Sequence, residues 1–218
     1  MILIKRLFDF GGALVGLIVL APIFLAIAIT IYINMGNPIV FTQSRPGKNG
    51  RIFSFYKFRT MGAAYEANGE FIPDDQRLTS LGRFLRKTSL DELPQLWNIL
   101  KGDMSFVGPR PLLAEYLDYY TPEQARRHEV KPGITGWAQV NGRQNIPFSR
   151  RLQLDVYYVD HWNLLFDLKI LLLTFVKVLG MSDIKLGQAV QEVDDIGLSR
   201  KIVPVQDYPN DKSSSSSP

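Results

Sequence analysis

Asp91 and Glu92 stand side by side ahead of an apolar run in which Leu93, Leu96, Trp97 and Leu100 fall on one helical face, closed by Lys101 and Gly102. Two capping registers are open: Asp91 as N-cap, which puts Pro94 where no intrahelical N–H is needed, or a capping box of Ser89 and Glu92. Either way two carboxylates sit in a first turn, where the helix dipole favours their ionised form and a nearby phosphate. Acids at helix starts are usually only caps. The cations around this pair set it apart: Lys57 and Arg59 in Lys57-Phe58-Arg59-Thr60-Met61, Arg110 between Pro109 and Pro111, and the turn-rich runs Lys131-Pro132-Gly133 and Asn141-Gly142-Arg143. The fixed φ of the flanking prolines restricts the backbone around Arg110 and partly pre-orients it as a phosphate fork. Together they point to an anion site built around an acidic pair.

The elements that must position this site begin with a membrane-type segment. From Phe10 to Ser44 no residue is charged, and Ala13–Ile33 at about 1.5 Å per residue reaches about 30 Å, the thickness of a hydrocarbon core. Cations flank both ends: Lys5 and Arg6 before, Arg45, Lys48, Arg51, Lys57 and Arg59 after. A single crossing would export one basic set, whereas a re-entrant hairpin keeps both on the cytoplasmic side. Pro22 supplies the kink, since it lacks an N–H and pushes Ala21 away from helical angles. The reading is therefore a kinked re-entrant helix, with a plain span and a cleaved signal as weaker alternatives.

Beyond it, residues 38–43 and 51–58 read as two short strands joined by a turn-rich hairpin loop, and Gly62–Asp75 as a polar loop. From Leu78 onward Leu78, Leu81 and Leu85 share a helical face while Arg77, Arg83, Arg86 and Lys87 line the rest, a pattern suited to a membrane interface or to a surface helix. Leu164–Leu179 is apolar, but Asp167, Lys169 and Lys177 make a second crossing costly, so an interfacial or core-packed helix is expected, with Tyr157 and Trp162 suited to the headgroup boundary. The fold class that follows is α+β, mainly helical: a kinked re-entrant N-terminal membrane helix, interfacial amphipathic helices and a small β-hairpin. Its expected divisions are residues 1–36 as the membrane helix, 37–181 as a catalytic domain on the cytoplasmic face, and 182–218 as a tail ending in a serine run.

Composition narrows the chemistry. The 218 residues contain no cysteine and two histidines, His128 and His161, which excludes disulfides, thiolate catalysis and Cys-type zinc sites and argues against a histidine metal cluster. A net charge of +4 suits anionic partners, lipid headgroups or a phosphorylated substrate. No nucleic-acid module is recognisable, so nucleic acid is not expected as a partner.

Lys57-Phe58-Arg59-Thr60-Met61, Ser89-Leu90-Asp91-Glu92-Leu93-Pro94-Gln95-Leu96, Gly102-Asp103-Met104-Ser105-Phe106-Val107-Gly108-Pro109-Arg110-Pro111 and Lys131-Pro132-Gly133-Ile134-Thr135-Gly136-Trp137 together resemble the bacterial sugar transferases, the monotopic phosphoglycosyl transferases. The resemblance covers about residues 1–180 and looks closest to the small single-domain members, such as the one that primes bacterial N-linked glycan assembly. It implies transfer of a sugar phosphate from a UDP-sugar to undecaprenyl or another polyprenol phosphate with release of UMP, at the cytoplasmic face of the bacterial inner membrane among its lipids. It also implies Asp91 as nucleophile and metal ligand, Glu92 as its dyad partner, Mg²⁺ as cofactor, and Lys57, Arg59, Arg86, Arg110 and Arg143 as phosphate-binding cations. An aspartate attacking phosphorus would form an acyl phosphate. Adjacent helical acids project about 100° apart, which disfavours the opposed carboxylates of a glycoside hydrolase. Many relatives have Ser-Pro at the kink where this chain has Ala21-Pro22. A non-catalytic membrane scaffold is the alternative, and it leaves the acidic pair unexplained.

Overall fold

A computed structural model describes residues 1–64, 70, 72–142, 145–179 and 193–201. Arg143 and most of the expected C-terminal tail therefore lie outside the described residues. The molecule is mainly helical, as expected. Its long elements are α1 (Ile2–Val19), α2 (Ala21–Met35), α3 (Ser80–Thr88), α4 (Gln95–Lys101), α5 (Phe148–His161) and α6 (Leu164–Leu179).

Most of the N-terminal pair forms from one apolar run, and proline breaks it. The bend between α1 and α2 is 61°, and no single helix among the described residues is long and apolar enough to cross a membrane. The break lies one residue earlier than Ala21-Pro22 suggested: Leu20 leaves the helical geometry, while Ala21 opens α2 and Pro22 occupies its first turn. A proline is tolerated there because the amide it lacks has no intrahelical partner to lose.

Polar residues at the start of α1 fasten it to the rest of the chain. Lys5 bonds Asp167 at 2.5 Å and the Val107 carbonyl at 3.1 Å, and Arg6 caps the end of α4 through the carbonyls of Ile99 and Leu100. Asp9, itself buried, accepts from the Ser105 hydroxyl and the Phe106 amide. Further along, Ala13 shares a core with Phe55, Leu96, Ile99 and Met104. On α2, Ile27 and Ile31 pack with Phe58 and Leu85.

The hairpin pairs β1 (Val40–Pro46) antiparallel with β2 (Ile52–Phe58), from Val40 opposite Phe58 to Pro46 opposite Ile52. Its first strand runs later than the expected 38–43, because Arg45 and Pro46 stay in register and the reversal is made by Asn49 and Gly50, both at positive φ. A second, parallel pair joins β3 (Ser105–Val107) to β4 (Gly133–Thr135). Strands of three residues are too short to show alternation in sequence. The amphipathic helix begins at Ser80, capped by the Thr79 hydroxyl, while Leu78 bridges Met61 instead of joining the helical face. Asp74–Arg77 makes a separate helical turn at the end of the polar loop.

His128 is buried beside the hairpin turn. Burial and the neighbouring Arg127 charge lower its pKa to about 4, against a hydrogen bond to the Gly47 backbone. The unfolded chain therefore binds more protons than the folded one between about pH 4 and pH 6.5, so stability is lost as pH falls through that window. The expected loss is up to about 3 kcal/mol. A His128→Gln variant should show a flatter dependence of unfolding midpoint on pH from 6.5 to 4; an unchanged slope would assign the acid sensitivity elsewhere.

Candidate active site

Three distant stretches bring the site together: β2 carries Lys57, the loop after β3 carries Arg110, and the turn between α3 and α4 carries Asp91 and Glu92. That turn is made locally. Ser89 ends α3 at positive φ, and Leu90–Glu92 then form a tight 3₁₀ turn running into α4. Neither expected capping register is present. Pro94 is the N-cap of α4, no side chain caps it, and the acids precede the α-helix. The i to i+3 bonds from Glu92 to the Ser89 carbonyl and from Leu93 to the Leu90 carbonyl satisfy this stretch instead. The expected apolar stripe is split: Leu96 is buried against α1, whereas Trp97 is 51% exposed.

The two carboxylates are unequal. Glu92 accepts from Lys57 at 2.9 Å and from the Arg110 guanidinium at 2.5 and 3.4 Å. Although burial opposes it, Arg110 and Lys57 hold the Glu92 carboxyl well below the usual carboxylate range. Asp91, 5% exposed, takes only a longer 3.4 Å contact from Lys57 among the described residues. Burial pushes its pKa up, with Glu92 adding to the effect and Lys57 opposing it. The result is one carboxylate locked by two cations and a second, more basic one left open for chemistry. Glu92, held so strongly as the anion, is a weak proton acceptor and a good anchor for Lys57 and Arg110.

Both acids line a cavity of about 820 Å³, which also meets Arg59, Arg86 and Arg110. Arg86 donates to the Thr60 hydroxyl at 3.0 Å. Arg59 spends its guanidinium on the carbonyls of Met61, Met35 and Asn37, tying the end of α2 to the cavity rim. Of the expected cations, Lys57 and Arg110 therefore touch the acids, whereas Arg59 and Arg86 stand on the wall.

Supporting residues act through these. Asp155 binds Arg127 at 2.7 and 3.1 Å in a fully buried pair, and Arg127 also donates to the Arg110 carbonyl at 2.7 Å, fixing the loop that presents Arg110. Along the chain Asp155 reads equally as a salt-bridge partner or as a support of the site, and in the fold the two coincide. Arg45, Phe148 and Arg151 also line the cavity and do not stand out as site residues in sequence. The cations and the apolar spacing around Phe148 look like ordinary surface and core when read along the chain.

Most of the chain is similar to known proteins. The chain is 49% identical over 198 residues to the "Uncharacterized sugar transferase EpsL" of Bacillus subtilis (strain 168), covering 91% of this chain and 95% of that one. It is 44% identical over 188 residues to the "UDP-glucose:undecaprenyl-phosphate glucose-1-phosphate transferase" of Xanthomonas campestris pv. campestris, covering 81% of this chain and 39% of the relative. It is 38% identical over 188 residues to the "Undecaprenyl-phosphate galactose phosphotransferase" of Salmonella typhimurium, covering 78% and 39%. The last two are thus much longer proteins, of which this chain spans about two fifths. The family profile described as "Bacterial sugar transferase" matches residues 1–181, every described residue of the acidic turn, its cations and their supports among them. The chain belongs to the bacterial sugar transferase family.

Proposed function

We propose that this chain is a phosphoglycosyl transferase that moves a sugar phosphate from a UDP-sugar to undecaprenyl or a related polyprenyl phosphate, releasing UMP through a covalent Asp91 phosphosugar. The observation that carries the reading is the inequality of the two carboxylates inside one cationic cavity, in a chain of this family. Relatives named for transfer from UDP-glucose, and for undecaprenyl-phosphate phosphotransfer, support the donor and acceptor classes.

On this reading an Asp91 oxygen bonds to the sugar-bearing phosphorus, the bond to the bridging oxygen breaks, and its electron pair leaves with UMP. The lipid phosphate then attacks the same phosphorus and frees Asp91. Two steps let a water-soluble donor and a membrane-bound acceptor use one site in turn. Glu92 holds Lys57 and Arg110 in place throughout, and these two cations face the phosphoryl oxygens on which charge develops.

Mg²⁺ fits the donor set in one way. It is commonly bound by one or two carboxylates together with substrate phosphates, and among the described residues no group of three histidine or acidic side chains gathers. Asp91 would be the protein ligand, with the donor's diphosphate supplying the rest, while Glu92 stays with its cations. When bound, the ion would offset the repulsion between carboxylate and diphosphate.

The bent α1–α2 pair would enter the membrane and return, making the protein monotopic at the cytoplasmic face of the inner membrane. The start of α1 bonds to α4 and α6, and α2 packs on Phe58 and Leu85 of the same body. A hairpin with both ends on one body suits re-entry better than a crossing. Functionally the chain then divides into the membrane hairpin at 1–36, the catalytic part at 37–181 and a tail from 182 to 218. Because the chain has no cysteine, single cysteines at Ile2 and Asn37 can be labelled with an impermeant maleimide. Both should react from the cytoplasmic side only; reaction from opposite sides would make the pair a span.

The reaction itself is tested by incubating detergent-solubilised protein with a panel of UDP-sugars, Mg²⁺ and undecaprenyl phosphate and assaying UMP. Silence across a broad panel would favour the scaffold alternative.

A further inference from the structure

The catalytic cavity also has a region with no part yet in the chemistry. Its wall includes Arg45 from β1, Tyr116, Phe148 and Arg151 from α5, and Val193. The two arginines differ from the ion-paired arginines beside them. Arg110 is neutralised by Glu92 and Arg127 by Asp155. Arg45 instead donates to the Gln43 side chain at 2.6 Å and Arg151 to the Ile146 carbonyl at 3.4 Å, and the Nε of each is buried without a partner. Among the described residues neither has a carboxylate within ion-pairing distance. Asp155 lies near Arg151, but Arg127 occupies it; Glu115, whose charge acts on Arg45, is exposed.

Two largely buried guanidiniums with no counter-ion among the described residues are costly unless an anion visits them. Burial, with the charge of Arg110 adding to it, lowers the Arg45 pKa to about 10, as for a guanidinium short of solvent and of counter-charge. Arg151 lies over the Phe148 ring at 4.7 Å, and Phe148 meets Tyr116 edge-on at 5.9 Å, so this guanidinium is held before any ligand arrives.

We propose that Arg45 and Arg151 form the subsite for the departing nucleoside monophosphate, gripping the phosphate that leaves with the nucleoside, while the space bounded by Val193 takes the nucleoside. The inference rests on the transfer reaction proposed above. When the bridging P–O bond breaks, the electron pair goes to that phosphate, which gains one negative charge, and two preorganised forks stabilise it where it forms. Of these wall residues Val193 alone comes from a segment beyond the family match at 1–181. Val193 reaches the cavity because Leu198 is buried with Tyr116 and Phe148, and Asp195 accepts from the Ser149 amide at 3.0 Å near the start of α5.

Calorimetric titration of the full chain in detergent with UMP, and separately with a short-chain prenyl phosphate, tests the assignment. Arg45→Met and Arg151→Met should each weaken UMP at least tenfold and leave the prenyl phosphate within about twofold. Arg45→Lys and Arg151→Lys should recover part of the loss, and Val193→Trp, which keeps both charges, should also weaken UMP selectively. Should the methionine variants not fold, the lysine and tryptophan variants decide. UMP binding unchanged in all of them, or loss of the prenyl phosphate instead, would overturn the subsite while UMP release by the wild type upholds the transfer reaction. A wild type that neither releases nor binds UMP would overturn both.

Discussion

Replacing Asp91 with asparagine should cut UMP release by on the order of 10⁴-fold or more and leave the fold as stable as before, or more stable. The first half follows from losing the nucleophile. The second follows from its environment. Because burial raises the Asp91 pKa, the folded protein holds that proton more tightly than the unfolded chain, and stability falls as pH rises from the ordinary carboxylate range through the folded value. Above the ordinary carboxylate range the carboxyl is thus a net cost to the fold, and asparagine removes it. Lys57 keeps its 2.9 Å bond to Glu92, so no buried cation is orphaned. A structural aspartate would behave in the opposite way. The measurements are UMP release, thermal unfolding without added divalent cation, and intact mass after exposure to a UDP-sugar alone. Wild type should gain one sugar phosphate and the variant none. Residual turnover near wild type would remove Asp91 from the chemistry, and a large fall in unfolding midpoint would make its role structural.

The acidic pair is legible in sequence because it is local: two carboxylates, a proline and an apolar run within ten residues define a helix entrance whatever the rest does. The bounds of the bend and of Leu164–Leu179 are likewise set by short-range composition. What the pair does is not local. The sequence treats Asp91 and Glu92 as equivalent, and only the approach of Lys57 from β2 and of Arg110 from the loop after β3 separates them. The capping registers failed for a related reason. Ser89 at positive φ turns α3 straight into a 3₁₀ turn, and a chain already carrying bonds from the preceding helix has no free N-cap to fill. Arg45 and Arg151 are invisible as site residues in sequence because an arginine in a hairpin or on an amphipathic helix is ordinarily solvated. Their meaning comes from the absence of a counter-ion among the described residues, which is a property of the folded neighbourhood. The β3–β4 pair is hidden by its shortness, and by glycines whose value lies in close backbone approach: a Cβ on Gly133 would stand 2.1 Å from the Gly108 amide nitrogen.

The same closeness makes Gly82 the position where one methyl group should do most damage to the fold. Gly82 lies in the first turns of α3, where a Cβ would meet the Thr60 carbonyl oxygen at 1.8 Å and its carbon at 2.7 Å. These are backbone atoms at the exit of β2, so no side chain can swing aside. Relief requires α3 to retreat by more than about 1 Å to reach ordinary contact distance. That retreat breaks the Arg86 bond to Thr60, pulls the Thr79 cap from the Thr60 carbonyl and lifts Leu85 from Phe58. Overpacking alone costs about 1–3 kcal/mol, and with these losses Gly82→Ala should cost at least about 3 kcal/mol. The helical preference for alanine returns only about 0.5–1 kcal/mol. Gly11, in the interior of α1 with nothing within 4 Å of where a methyl group would stand, provides the contrast: there only the preference remains, so Gly11→Ala should raise stability by that small amount. Thermal unfolding of the two variants should therefore move in opposite directions. UMP release should fall at least tenfold in Gly82→Ala, because Arg86 and the Thr60 wall of the cavity shift together. A Gly82→Ala protein with wild-type midpoint and turnover would mean that α3 docks on β2 more loosely than this packing requires.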